Sequence, residues 1–127
     1  MSFHFDPAHK HIRVEVEVEG IASSVVLGFA LDTGSSRTTI PEGILLFLGY
    51  DPAVATRQVR VTTPSGVELR PLVTIRRISA LGHERVDLPV VCRTLPSSAD
   101  IEGLLGLDFF RGHELTLDFR QGEIRLA

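Results

Sequence analysis

Hydrophobic and polar positions alternate along several short segments of the chain, as they do in half-buried β-strands. In "RVEVEVE", residues 13–19, valines occupy every second position and charged residues lie between them. "QVRVTTPSGVELR", residues 58–70, alternates on both sides of Pro64-Ser65-Gly66, which predicts a hairpin with a turn at its tip. "ELTLDFRQGEIRLA", residues 114–127, turns at Gln121-Gly122 and predicts a second hairpin.

Other segments are more continuously apolar. "SVVLGFALD", residues 24–32, predicts a central strand that is buried on both faces, because it has no polar side to present to water. "LVTIRRI", residues 72–78, and "ERVDLPVVCRT", residues 84–94, predict further strands separated by a turn near Gly82.

Only two short helices are expected. Pro41 and Glu42 begin an apolar stretch that ends at Gly49, the usual asymmetry of a short helix. A second helix should begin near Leu107, after a polar loop and an apolar patch that contains Gly103 and Gly106. Many short strands with closely spaced turns therefore predict an all-β barrel or sandwich.

Composition limits the classes of protein that fit. The chain has 127 residues, of which 43% are hydrophobic and 23% charged, which predicts one domain spanning residues 1–127. Its 13 basic and 16 acidic residues give no reason to expect binding to nucleic acid or to an anionic membrane. No signal peptide or membrane segment is recognisable, so a cytoplasmic location is expected.

Cys92 is the only cysteine in the sequence. An internal disulfide and a cysteine-based zinc site are therefore excluded. Because Cys92 lies in a predicted strand, its thiol is expected to be buried and inert rather than nucleophilic.

The residues that carry candidate chemistry follow the apolar strand. Asp32 stands at its end and precedes Thr33, Gly34, Ser35 and Ser36. A tight turn favours aspartate and glycine for local reasons, so the Asp-Thr-Gly triplet alone leaves both a turn and a catalytic carboxylate open.

Three features in one order carry a resemblance to a family. The Asp-Thr-Gly-Ser loop comes first, the hairpin with the tip "TTPSGV" second, and "IEGLLGLDFF", residues 101–110, third. This arrangement resembles the retropepsin-like aspartic proteases. The resemblance implies an all-β, closed acid-protease half-barrel with one or two short helices and an active site at the twofold axis of a homodimer.

The resemblance also implies an activity, that of an aspartic endopeptidase. Asp32 of each subunit would join its copy in a dyad that activates water to hydrolyse a polypeptide substrate, with no metal and no cofactor. The hairpin tip would act as a flap that closes over the substrate. Its residues are Thr62, Thr63, Pro64, Ser65, Gly66 and Val67.

The neighbours of Asp32 take supporting roles by the same resemblance. Thr33 would hydrogen-bond across the dimer axis, and Gly34 would bring its amide close to the carboxylate. Ser35 would donate a hydrogen bond to the ionised carboxylate, which would lower the apparent pKa of the dyad. Asp108 lacks a following Thr-Gly and is expected to cap the second helix instead.

Several alternatives stay open at this point. A catalytically silent dimer of the same fold could bind peptides or partner proteins in the same cleft. His4, His9 and His11 with Asp6 are either a metal site or, as expected near a terminus, exposed side chains. No Gly-x-Ser-x-Gly element indicates a serine hydrolase. The apolar residues Ile40, Leu104 and Leu105 are expected in the core rather than in substrate subsites.

Overall fold

The computed structural model describes residues 1–127, which form ten β-strands and two short α-helices. The strands are β1 (Ser2–His4), β2 (Arg13–Glu19), β3 (Ser24–Leu31), β4 (Thr39–Ile40), β5 (Arg57–Thr63), β6 (Gly66–Ala80), β7 (His83–Cys92), β8 (Leu104–Leu105), β9 (Leu115–Asp118) and β10 (Glu123–Leu126). The helices are α1 (Glu42–Phe47) and α2 (Leu107–Phe110).

The larger sheet closes on itself. Its seven strands run in the order β2-β3-β8-β4-β7-β6-β5, and β2 also pairs with β6, for example Val18 with Ile78. Strand β6 is 15 residues long, so its first part pairs with β5 while its last part reaches β2. The result is a closed barrel from which the β5–β6 hairpin extends, and the predicted all-β half-barrel with two short helices is confirmed.

Strand β3 occupies the central position that its apolar sequence predicts. It pairs antiparallel with β2 and parallel with β8, where Ala30 lies opposite Leu104. The prediction of burial on both faces is wrong for its first half, because Val26 is 58% exposed whereas Phe29 is fully buried. Strand β8 has only two residues and reaches only the last residues of β3, so the first half lacks a neighbour on that side.

The second sheet has three strands in the order β1-β10-β9. Both predicted hairpins are present, and α1 and α2 begin where the sequence predicts. Strand β1 was not predicted; its three residues are ordered by pairing with β10 rather than by a pattern of their own.

One hydrophobic cluster of 22 buried residues connects the two sheets. Val14, Val16 and Val18 of β2 face into it, as their alternation predicts, and Ile124 and Leu126 enter it from β10. The longest helix has six residues, so none is long enough to cross a bilayer.

We predict that Gly103→Ala destabilises the protein by about 1–3 kcal/mol. A Cβ at this position would lie 2.5 Å from the ring of Phe29, which is fully buried and has no room to move. Gly43→Ala is the matched control, because a Cβ there meets nothing within 4 Å on exposed helix α1. It should stabilise by roughly 0.5–1 kcal/mol. Urea unfolding measures both, and equal effects would contradict the packing argument.

Candidate active site

Asp32 follows β3 directly and is held by backbone groups. Its amide donates to the carbonyl oxygen of Leu105 at 2.9 Å, which anchors the start of the loop to β8. Its carboxylate oxygen Oδ1 accepts from the amide of Gly34 at 3.0 Å. The side chain is half-buried, its Oδ2 accepts no hydrogen bond within the chain, and no cation pairs with it. One carboxylate oxygen is therefore free for chemistry.

The loop after Asp32 rests on the segment that contains Gly106. The amide of Leu107 donates to the carbonyl oxygen of Ser35 at 2.8 Å. A Cβ on Gly106 would lie 2.5 Å from the carbonyl carbon of Arg37 and 2.9 Å from the oxygen of Ser35. Only glycine permits this contact, because neither backbone can retreat without breaking its hydrogen bonds.

A side-chain clamp completes the junction between the two segments. Thr38 is fully buried; its amide donates to Asp108 Oδ2 at 2.9 Å and its hydroxyl to Asp108 Oδ1 at 2.7 Å. The amide of Gly106 in turn donates to the Thr38 hydroxyl at 3.2 Å. Asp108 thus satisfies a buried amide and a buried hydroxyl that have no local partner.

The prediction that Asp108 caps helix α2 is wrong. Gly106 occupies the N-cap position, and no side chain caps this helix. Asp108 lies within the first turn and directs both oxygens to Thr38 instead, whose buried amide and hydroxyl both need an acceptor. Sequence reasoning missed Thr38 altogether, because its partner is 70 residues away.

The expected hydrogen bond from Ser35 to the Asp32 carboxylate is also absent from the chain. The Ser35 hydroxyl donates to the carbonyl oxygen of Arg37 at 2.7 Å. A hydroxyl has one proton to donate, so this bond leaves none for Asp32. The expectation that Ser35 lowers the pKa of the dyad therefore loses its physical basis, and Ser35 instead shapes the loop.

The other two loop residues lie at the surface. Thr33 and Gly34 are exposed, and the Thr33 hydroxyl has no hydrogen-bond partner within the chain. The only side-chain-directed bond made by either residue is the one from the Gly34 amide to Asp32. The edge of the loop beside Asp32 is thus open to contact from outside the chain.

A cleft of about 320 Å³ separates the Asp32 loop from the β5–β6 hairpin. Residues 34–37 line one wall, residues 59–62 of β5 line the other, and Thr39 and Val91 also border it. Of the six predicted flap residues only Thr62 lines this cleft; Thr63 ends β5, Pro64 and Ser65 form the turn, and Gly66 and Val67 begin β6. The structure thus brings the hairpin strand, rather than its tip, opposite the Asp32 loop.

The tip has its own local order. The Thr63 hydroxyl donates to the carbonyl oxygen of Gly66 at 2.9 Å and accepts from the amide of Ser65 at 3.3 Å. Gly66 has φ of +126°, a conformation that favours glycine. Pro64 and Val67 are exposed.

Comparison with known proteins assigns the family. The model of the family described as "Aspartyl protease" matches residues 14–109, which include the Asp32 loop, the hairpin and Gly106. The chain belongs to the aspartyl protease family. A retropepsin-like aspartic protease from Rickettsia conorii has the same fold, with a TM-score of 0.74 and 19% sequence identity over 99% of this chain and 88% of that chain. No curated protein sequence matches at a significant level.

The other residues considered in the sequence lie in the core of this member of the aspartyl protease family or at its edge. Ile40 and Leu105 are fully buried in the core, as expected, and Leu104 is half-buried. Cys92 is buried as predicted, and desolvation raises the pKa of its thiol. No group of three or more histidine, cysteine, aspartate or glutamate side chains is arranged to hold a metal ion.

The histidines near the N-terminus make local contacts instead. The amide of His11 donates a hydrogen bond to His9 Nδ1 at 3.0 Å, and His9 Nε2 lies 3.6 Å from Asp100 Oδ2. His83 and His113, which have no obvious partner in the sequence, lie with ring centroids 4.4 Å apart and ring planes tilted by 55°.

We predict that Thr38 and Asp108 are energetically coupled by about 1–2 kcal/mol in a double-mutant cycle. Thr38→Val removes the hydroxyl, and Asp108→Asn replaces one accepting oxygen by a donor; each should lower the free energy of unfolding by about 1–3 kcal/mol. The exposed Asp87, which has no side-chain partner, supplies the control Asp87→Asn, which should be neutral. If the double variant loses the sum of the unfolding free energies that the two single variants lose, as measured in urea, Thr38 and Asp108 are not coupled and the clamp is contradicted.

We also predict that Ser35→Ala lowers the free energy of unfolding by about 1 kcal/mol, the usual contribution of one hydrogen bond. The carbonyl oxygen of Arg37 would lose its donor in a loop that is otherwise tightly held. Ser36→Ala is the control, because Ser36 is exposed and its side chain makes no hydrogen bond within the chain. A comparison of thermal unfolding of the two variants checks the role of Ser35, and equal stability of both would contradict it.

Proposed function

We propose that the protein is an aspartic endopeptidase that hydrolyses peptide bonds as a homodimer. The observation that carries the proposal is the state of Asp32. Its carboxylate is held by a backbone amide, with one oxygen unoccupied and no counter-ion, in a loop whose following residues 34–37 line a cleft. If Asp32 only formed a turn, its loop would not need the additional anchoring that the segment around Gly106 provides.

A second carboxylate is required, and the same chain does not supply it. Asp108 is the nearest aspartate along the Gly106 segment, but both of its oxygens accept hydrogen bonds from Thr38. Its removal from that role would leave buried polar groups unsatisfied. We therefore infer that the partner of Asp32 is Asp32 of a second copy, related by a twofold axis.

The exposed Thr33 supports this arrangement. Its hydroxyl lies beside Asp32 and has no partner within the chain, so a second copy of the loop could supply one. The β5–β6 hairpin would serve as the flap: its strand already faces the loop across the cleft, and closure would exclude water from the bound peptide.

The chemistry follows from two carboxylates at close range. As is general for aspartic proteases as a class, such a pair shares one proton, because two like charges about 3 Å apart do not both ionise. The ionised carboxylate takes a proton from water, whose oxygen attacks the peptide carbonyl carbon, while the protonated carboxyl donates to the carbonyl oxygen. As the tetrahedral intermediate collapses, the carboxyl that took the proton from water donates it to the leaving nitrogen and the C–N bond breaks. A hydroxyl of the intermediate returns its proton to the other carboxylate, so the pair again shares one proton. The Gly34 amide holds the Asp32 carboxylate in position throughout.

We predict that Asp32→Asn lowers peptide cleavage by at least about 10²–10⁴-fold, the contribution of a positioned acid–base group. Mixing gives the sharper test. When wild type and Asp32→Asn exchange subunits freely in equal amounts, only about a quarter of the dimers carry both aspartates, so activity per wild-type chain should fall to about half. A fluorogenic peptide assay measures this at acidic to neutral pH, with the dimer mass measured in solution.

The control mixture contains Asp87→Asn, which should leave activity unchanged when it is counted per total chain, whereas the same measure falls to about a quarter with Asp32→Asn. Activity that does not fall on mixing with Asp32→Asn, or a fully active monomer, would overturn the shared site. A dimer that binds peptides with wild-type Asp32 yet never cleaves them would replace the endopeptidase by a catalytically silent binding protein.

A further inference from the structure

We propose that the cleft beside Asp32 selects a substrate with an acidic side chain, which Arg37 and Arg60 bind. The inference rests on the proposed function and adds a substrate class to it: polypeptides that carry glutamate or aspartate at a defined position near the bond that is cleaved. The two arginines lie on opposite walls of the cleft, Arg37 in the Asp32 loop and Arg60 on β5.

The distribution of ion pairs distinguishes these two arginines from their neighbours. Arg70 and Arg93 both contact Glu68 Oε1, at 3.3 Å and 2.9 Å, and the hydrogen bond from Arg93 lowers the pKa of the Glu68 carboxyl. Arg37 and Arg60 make no ion pair and no side-chain hydrogen bond within the chain. Arg70 and Arg93 thus share one carboxylate as their partner, whereas the two arginines at the cleft have no acidic partner.

No acidic side chain lines the cleft to compensate these charges. Its other lining groups are glycine, serine and threonine, together with the valines Val59, Val61 and Val91. The guanidinium groups would bind the carboxylate of a glutamate or aspartate side chain of the substrate. A planar guanidinium pairs with a carboxylate through two parallel hydrogen bonds, which gives geometric selectivity as well as attraction.

The backbone of Arg37 is fixed at the wall of the cleft, from which its side chain would bind the substrate. Its carbonyl oxygen accepts from the Ser35 hydroxyl, and its carbonyl carbon packs directly on Gly106. The side chain is half-buried and starts from a fixed point a few residues after Asp32. Arg60 is exposed on a strand at the edge of the sheet, so closure of the hairpin would carry it toward the substrate.

The proposed twofold axis would place one such cleft on each side of the paired aspartates. The preferred substrate would then carry an acidic residue on both sides of the scissile bond, at positions related by the symmetry of the dimer.

The experiment uses fluorogenic peptides with a central apolar pair, in which glutamate, glutamine or lysine is placed at each flanking position in turn. At the position that reaches the cleft, we expect kcat/KM for glutamate to exceed that for the isosteric glutamine about tenfold, which is about 1.4 kcal/mol. Lysine should be the poorest of the three. The preference should fade as the pH falls through about 4.3, where glutamate becomes neutral while arginine stays charged.

Variants assign the preference to residues. Arg37→Gln and Arg60→Gln should each reduce the ratio of kcat/KM for the glutamate peptide to that for the glutamine peptide, and the double variant should bring this ratio to about one. Arg57→Gln is the matched control, because Arg57 lies on the same strand and is exposed but does not line the cleft. Equal cleavage of the three peptides at every position, or a preference that survives in the double variant, would overturn the proposal.

A second measurement separates this proposal from the proposed activity. Binding of fluorescein-labelled glutamate, glutamine and lysine peptides to Asp32→Asn is followed by anisotropy, which needs no turnover. Tighter binding of the glutamate peptide that disappears in the Arg37→Gln, Arg60→Gln background supports the cleft even if no peptide is cleaved. Equal affinity for the three peptides overturns it even if cleavage is found.

Discussion

The close approach of the Asp32 loop to Gly106 is the contact on which the rest of the site depends. Gly106 has no side chain, so its backbone can lie against those of Ser35 and Arg37. Hydrogen bonds from Asp32 to Leu105 and from Leu107 to Ser35 hold the two segments together. The Asp32 carboxylate is therefore positioned by backbone groups alone, and one of its oxygens needs no partner from within the chain.

The contact between the Asp32 loop and Gly106 also determines the role of Asp108. It buries Thr38, whose amide and hydroxyl then require an acceptor away from water, and Asp108 supplies both bonds. A carboxylate that is used in this way is not available to activate water. Because the chain has one Asp-Thr-Gly loop and its other candidate aspartate is structural, the proposed acid–base pair requires a second copy of the chain.

Charges around the cleft follow from which acids are already occupied. Glu68 of the hairpin pairs with Arg70 and with Arg93, the residue after β7. Arg37 and Arg60 have no acidic partner, so the cleft beside the Asp32 loop is positively charged although the chain as a whole has a net charge of -3. The local arrangement, rather than the total charge, determines which substrates this site attracts.

The sequence by itself determined the elements whose signals are local. Alternating valines specify β2, turn residues specify both hairpins, and the Asp-Thr-Gly loop with its later apolar-glycine segment identifies the family. Only the tertiary structure decided that Asp108 binds Thr38, that Ser35 binds Arg37, that the first half of β3 is exposed and that two arginines face one cleft. Local patterns report the next few residues, whereas a hydrogen bond across 70 residues depends on which segments the folded chain brings together.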